Sequence, residues 1–226
     1  MISYLLIFGV FMLASWLVSH QLKSRFKKYS QLPMNNGYTG RDIAEKMLRE
    51  NGIMDVKIMT VTGMLTDHYN PINKTVNLSR DVYFGNHIAA GAVSAHECGH
   101  AIQHENAYSW LRMRSNLVPV VSFASNWVQW VLLGGVLLIN TFPQLLLAGI
   151  VLFALTTTFS FIALPIEINA SKIALAWLQT SNVTSYSTHL KAKDALKWAA
   201  YTYVVAALGS LATLLYYIMI YLGRRE

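Results

Sequence analysis

His96, Glu97 and His100 stand in a His-Glu-x-x-His spacing. On an α-helix, residues four apart project from one face about a turn apart, so the two imidazoles can offer nitrogens to a single Zn2+. Glu97 sits one position round from the first ligand, where its carboxylate can take a proton from water on the metal. The chemistry of such a set is hydrolysis, with two ligands and a base. A helix that merely carries two histidines one turn apart is the competing explanation. It fits poorly, because the preceding run Ile88-Ala89-Ala90-Gly91-Ala92-Val93-Ser94-Ala95 is apolar and small, and three unpaired polar side chains are costly to bury in such a helix.

A catalytic zinc site needs a third protein ligand and one open position. His104 lies one further turn along the same face, but that places it about 6 Å beyond His100, too far to share one tetrahedral ion with His96. Nor does its spacing match the pattern in which a third histidine follows the second by about six residues. It reads as a surface or packing histidine. Glu167 is the stronger candidate. It follows the apolar run 161–166, where a carboxylate without a partner is unfavourable and marks a functional site by default. A helix-start carboxylate, favoured by the dipole after a break at Pro165, is the alternative for this residue, and that role is compatible with ligation. Cys98, two positions from His96, points away from the metal face and reads as packing.

The scaffold that must position these groups is written in the composition. The chain of 226 residues is 54% hydrophobic and 13% charged, an unusual balance for a wholly water-soluble protein. Asp, Glu, Lys and Arg are absent from 1–21, 115–166 and 198–223. An α-helix needs about 20 apolar residues to cross ~30 Å of hydrocarbon, so the first and last blocks hold one span each. The middle block holds two, at 117–139 and 144–166, divided by Asn140-Thr141-Phe142-Pro143. A cleaved signal peptide is disfavoured for the first block, which has neither a basic residue before its apolar stretch nor a small-x-small cleavage site.

Lys23, Arg25, Lys27 and Lys28 follow the first span, and basic residues so placed favour the cytoplasmic side. Residues 20–116 and 167–196 are then cytoplasmic and hold nearly all the Lys and Arg, with Arg224 and Arg225 on the opposite side. Two crossings between His100 and Glu167 return the chain to the side it left, so the carboxylate can meet the imidazoles at the cytoplasmic membrane face. The net charge of +7 is explained by orientation and anionic lipid headgroups, and calls for no nucleic-acid partner. The single cysteine excludes an internal disulfide.

Between the first two spans, 23–32 reads as a helix extension or interfacial segment ended by Pro33. Thr39 is an expected N-cap for a helix with Ile43, Ala44, Met47 and Leu48 on one face and Asn51-Gly52 as its stop. Then β-branched residues and turn formers predict about three antiparallel strands, at 56–62, 65–69 and 75–78, with 70–74 a hairpin connection. Asn86 is an expected cap for the helix that carries the motif. The whole predicts a mainly α membrane protein with about four transmembrane helices and a small antiparallel β-sheet next to that helix. Its divisions are an anchor at 1–21, a cytoplasmic part at 22–116, a membrane hairpin at 117–166, a glutamate-bearing helix and loop at 167–197, and a last span at 198–226.

The string 94–104, Ser-Ala-His-Glu-Cys-Gly-His-Ala-Ile-Gln-His, with Leu164-Pro165-Ile166-Glu167-Ile168-Asn169-Ala170-Ser171 downstream, resembles the YugP-type neutral zinc metallopeptidase family of bacterial membrane proteins. Leu65-Thr66-Asp67-His68-Tyr69, the basic residues after the anchor and the apolar C-terminus are similar to that family too. More distantly, the order of elements resembles HtpX and CAAX-prenyl-protease-type membrane gluzincins. That resemblance implies Glu167 as third ligand and a cytoplasm-facing site that acts on membrane or misfolded proteins. The distant group carries an aspartate a few residues after the ligand glutamate, where it orients a zinc histidine. This chain has Asn169 and Ser171 instead, either of which can still hydrogen-bond an imidazole, with less effect on its basicity.

The expected function is therefore a membrane-embedded zinc endopeptidase. Its metal ligands are His96, His100 and Glu167, its base is Glu97, and its partners are a peptide or protein substrate and the bilayer. An edge strand, with 75–78 as the candidate, would pair with extended substrate. His68, Tyr69, His87 and His189 are open candidates for oxyanion stabilisation. The alternative from another class is a non-catalytic membrane protein with a structural zinc site, which a fourth protein ligand would reveal. A metal transporter ranks last, because the spans lack other ionisable residues.

Overall fold

The computed structural model describes residues 2–34 and 37–223. In chain order these form α1 (Ile2–Tyr29), α2 (Gly40–Glu50), β1 (Lys57–Val61), β2 (His68–Asn70), β3 (Thr75–Ser79), α3 (Arg80–Phe84), α4 (Ile88–Glu105), α5 (Ser109–Leu137), α6 (Pro143–Thr180) and α7 (Tyr186–Gly223). They divide into two units, one of Val18–Leu111 with Pro165–Tyr201, the other of Met1–Leu17, Arg112–Leu164 and Thr202–Glu226.

In the first unit, α2 begins where local chemistry says it should. The Thr39 hydroxyl accepts from the Asp42 N–H, and the Asp42 carboxylate accepts in return from the Thr39 N–H at 2.9 Å, satisfying two orphan donors of the first turn. Ile43, Ala44, Met47 and Leu48 are all buried, and the helix ends at Asn51 before Gly52, whose φ of +73° suits a residue without a Cβ. The cap of α4 differs from expectation. His87, not Asn86, is its N-cap, with Nδ1 accepting from the Ala90 N–H at 3.0 Å. A histidine nitrogen does here what a shorter Asn side chain one position earlier does not.

The three strands form a mixed sheet in the order β1-β3-β2, which corrects the antiparallel expectation. β2 and β3 are antiparallel, joined through 71–74, whereas β1 runs parallel to β3. The connection at 62–67 is too long for a tight hairpin, and it leaves room for β3 to insert between β1 and β2. β3 is thus the central strand, not a free edge. Asp67 closes this connection by accepting from the Ser79 N–H at 2.6 Å and the Ser79 hydroxyl at 3.3 Å.

α4 lies in the middle of this unit, buried on nearly every side, because its small residues allow close approach all round. A Cβ on Gly91 would meet the Ile43 and Met34 side chains, and one on Gly99 would lie 2.6 Å from the Ala170 carbonyl oxygen of α6. Polar contacts at the rim tie the helices further. Glu50 of α2 accepts from Trp177 Nε1 at 2.8 Å and Ser181 Oγ at 2.9 Å. Asp194 of α7 accepts from Tyr29 Oη at 2.6 Å and from Arg25, whose guanidinium also stacks over Trp198.

In the second unit, Leu132, Leu146 and Ile150 make a core between α5 and α6. A Cβ on Gly135 would lie 2.5 Å from Leu146 Cα, the close backbone approach typical of helices packed in lipid. Large apolar side chains, among them Phe8, Met12, Trp16, Phe123, Trp130 and Met219, remain exposed, as a hydrocarbon solvent would require. Among the described residues, α5, α6 and α7 are long and apolar enough to cross a membrane. Arg224 and Arg225 lie outside the described residues. The turn expected at 140–143 separates α5 from α6, yet α6 continues without a break through Pro165 to Thr180, so Glu167 is mid-helix and not at a helix start.

Candidate metal centre

α4 and the C-terminal part of α6 meet along a line set by Gly99. Because that position has no side chain, the α6 backbone at Ala170 reaches the motif helix directly, and Glu167, one turn earlier on α6, projects over His96 and His100. The ligating atoms of these three residues all lie within 4.8 Å of one another. Glu167 Oε2 stands 3.3 Å from His96 Nε2 and 3.5 Å from His100 Nε2. Charge-assisted hydrogen bonds close to about 2.7–2.9 Å, so these separations are wide for direct pairing. They match the edge of a tetrahedron of ligands at 2.0–2.1 Å from one ion, about 3.3 Å. Two imidazoles and a carboxylate are also a donor set that Zn2+ takes in hydrolases, and the residues therefore fit the metal.

Burial makes the site electrostatically tense. Glu97 is buried, and burial pushes its carboxyl above the usual range, against the pull of the two neighbouring imidazoles. Burial works to lower the His100 imidazole, but the facing Glu167 carboxylate outweighs it and leaves the group raised. A carboxylate facing two imidazoles in a low-dielectric pocket is costly to leave with any of the three unpaired. The outer nitrogens are also held. Ser171 Oγ lies 3.1 Å from His96 Nδ1, and Gln103 Oε1 lies 3.0 Å from His100 Nδ1. Asn169 does not touch a histidine directly. Its side-chain oxygen accepts from Gln103 Nε2 at 2.8 Å.

Gln103 is the site residue that the sequence motifs do not single out. A signal is present, since an amide three positions after His100 lies on the same helical face within an otherwise apolar run.

The remaining candidates fall elsewhere. Cys98 is buried and faces the Ala44 carbonyl at 3.7 Å, and burial pushes its thiol far up, so it is packing. His104 pairs with Tyr69, whose hydroxyl stands 2.9 Å from Nδ1. Burial pushes the Tyr69 phenol up to about 12, so it keeps its proton. His87 caps α4, exposed His68 donates from Nδ1 to the Thr66 carbonyl, and His189 Nδ1 lies 3.5 Å from Thr184 Oγ1. None of these joins the His96, His100 and Glu167 group.

The family described as "Putative neutral zinc metallopeptidase" matches residues 4–222. Among curated proteins, the chain is 40% identical over 212 residues to "Putative membrane protease YugP" of Bacillus subtilis (strain 168), a match covering 94% of this chain and 93% of that protein. No solved structure matches. Zn2+ is the cofactor that the family carries and that the donor set fits. A match over almost the whole length of both proteins leaves one assignment: the chain belongs to the neutral zinc metallopeptidase family.

Proposed function

We propose that this chain is a multi-pass membrane endopeptidase that hydrolyses peptide bonds in membrane or misfolded proteins from a site facing the cytoplasm. The observation that carries the reading is the spacing of His96, His100 and Glu167, longer than charge-assisted hydrogen bonds and right for ligands of one cation. These three residues hold Zn2+, which when bound acidifies water and polarises a scissile carbonyl. Glu97 is the general base. Its raised affinity for a proton, a result of burial, suits a group that must accept one and then deliver it to the leaving amine. Among the described residues the group holds three protein donors, the number that catalytic zinc sites use, whereas closed structural sites take four.

Extended substrate pairs with an outer strand. With both edges of β3 occupied, that role passes to β2, the edge strand packed against α4, where main-chain hydrogen bonding recognises unfolded chain without regard to sequence. The charge distribution supports the orientation, and two crossings between His100 and Glu167, by α5 and the first part of α6, keep the carboxylate on the side of the motif helix.

The test is metal removal on the full chain reconstituted in liposomes. Stripping with a strong chelator is expected to abolish cleavage of an unstructured reporter polypeptide, and added Zn2+ to restore it. Undiminished cleavage by protein verified to be metal-free would refute the assignment.

A further inference from the structure

Gln103 is almost wholly buried, at 1% exposure, and all of its amide's polar atoms face a partner. Its Nε2 lies 2.8 Å from the Ile166 carbonyl oxygen and 2.8 Å from Asn169 Oδ1, both on α6, while its Oε1 lies 3.0 Å from His100 Nδ1. The orientation of a side-chain amide is ordinarily ambiguous, since its oxygen and nitrogen have the same shape. Here chemistry removes the ambiguity. A backbone carbonyl can only accept, so the group facing Ile166 must be the NH2, which leaves only the oxygen for His100. An amide oxygen accepts and never donates. The proton between the two residues therefore sits on His100 Nδ1, and the lone pair of that ring lies on Nε2, the nitrogen facing Glu167.

We infer that Gln103 is a positioning residue that locks His100 in the Nδ1–H tautomer and thereby dedicates Nε2 to the metal, with the lock set by α6 through Ile166 and Asn169. The inference rests on the metal-site reading above and extends it. α6 then supplies both the third ligand and the template that orients a ligand on α4. His96 has a weaker version of the same support, because the Ser171 hydroxyl at 3.1 Å can either donate or accept and fixes no tautomer by itself. Partners of this kind, which hold a metal-bound histidine by its other nitrogen, change metal affinity about 10–100-fold when removed.

Two substitutions separate this role from simple packing. Gln103→Met keeps length and burial but removes every hydrogen bond. Gln103→Glu keeps an acceptor for His100 Nδ1–H, and Asn169 can turn its amide to donate to the second oxygen, but that oxygen then faces the Ile166 carbonyl, and a hydrogen bond there is replaced by repulsion between two acceptors. The measurement is zinc affinity of the purified full chain, by competition with a chromogenic chelator, alongside wild type and His96→Ala. Gln103→Met is expected to bind zinc about 10–100-fold more weakly, and Gln103→Glu to bind more tightly than Gln103→Met, since it keeps an acceptor on His100 that raises ligand basicity. A residue that only fills space gives the reverse order, with Met tolerated and a buried Glu disruptive, and that order overturns the inference. If wild type binds tightly, His96→Ala does not, and Gln103→Met equals wild type, the tautomer lock alone is wrong. If His96→Ala retains wild-type affinity, the metal site and the lock fall together.

Discussion

Glu97→Gln is expected to lower the turnover of an unstructured substrate by about 10²–10⁴-fold, the usual contribution of a positioned general base, while zinc content stays at the wild-type level. The amide has the shape of the carboxylate but cannot take up a proton. Glu97 sits between His96 and His100 in sequence, yet it is outside the group whose ligating atoms converge, so its loss does not open the metal site. The substitution also relieves the cost of holding a carboxylate in a buried position, so folding is not impaired. Turnover measured beside zinc content in the same preparation makes the comparison clean. Cleavage within a few-fold of wild type would remove Glu97 from the mechanism.

Gly99→Val is expected to be the most damaging single change to the architecture of the site. Even the Cβ of an alanine would lie 2.6 Å from the Ala170 carbonyl oxygen and 3.2 Å from Ala170 Cα, and both are backbone atoms of a long helix that cannot rotate aside. Overpacking of this kind costs about 1–3 kcal/mol, and each kcal/mol corresponds to about 2–4 °C in Tm for a chain of this size. The functional effect exceeds the thermal one. Pushing α6 away from α4 moves Glu167, three residues before Ala170, and also strains the contacts of Gln103 and Ser171. Zinc affinity should fall steeply even where the protein still folds. A Gly99→Val protein with wild-type Tm and wild-type zinc affinity would show that the close helix approach is not what builds the site.

Features set within one turn of chain are legible in the residues themselves. The Thr39 cap, the Ile43, Ala44, Met47 and Leu48 face, the Asn51-Gly52 stop and the connection at 71–74 all follow from side-chain and backbone chemistry among near neighbours. The apolar blocks that become α5, α6 and α7 are legible because length and composition alone decide them. Features fixed by distant partners are not. No local signal says that β3 should lie between β1 and β2, because strand order is decided by which surfaces the sheet must cover. Pro165 signals a break by its chemistry, but α6 runs through it, and packed membrane helices tolerate proline where neighbours satisfy the freed backbone groups.

The site divides along the same line. His96, Glu97 and His100 declare themselves by spacing within one helix. Glu167 is reachable only by asking what a carboxylate does beside an apolar segment, and by counting crossings. Gln103 gives only a local hint, an amide one turn after His100, since its meaning depends on Ile166 and Asn169, more than sixty residues away. The choice between Ser171 and Asn169 as the partner of a histidine likewise needs the register of α6 against α4, which places Ser171 against His96 and Asn169 against Gln103.

Convergence of three side chains from α4 and α6 on one ion underlies all of these expectations. Its most direct test is the zinc stoichiometry of purified wild type and Glu167→Ala, loaded and dialysed side by side. One zinc retained per wild-type chain, and little or none in the variant, is the predicted result. Equal, tightly held zinc in both would mean that the α6 carboxylate is not a ligand, and the three-ligand centre would be contradicted.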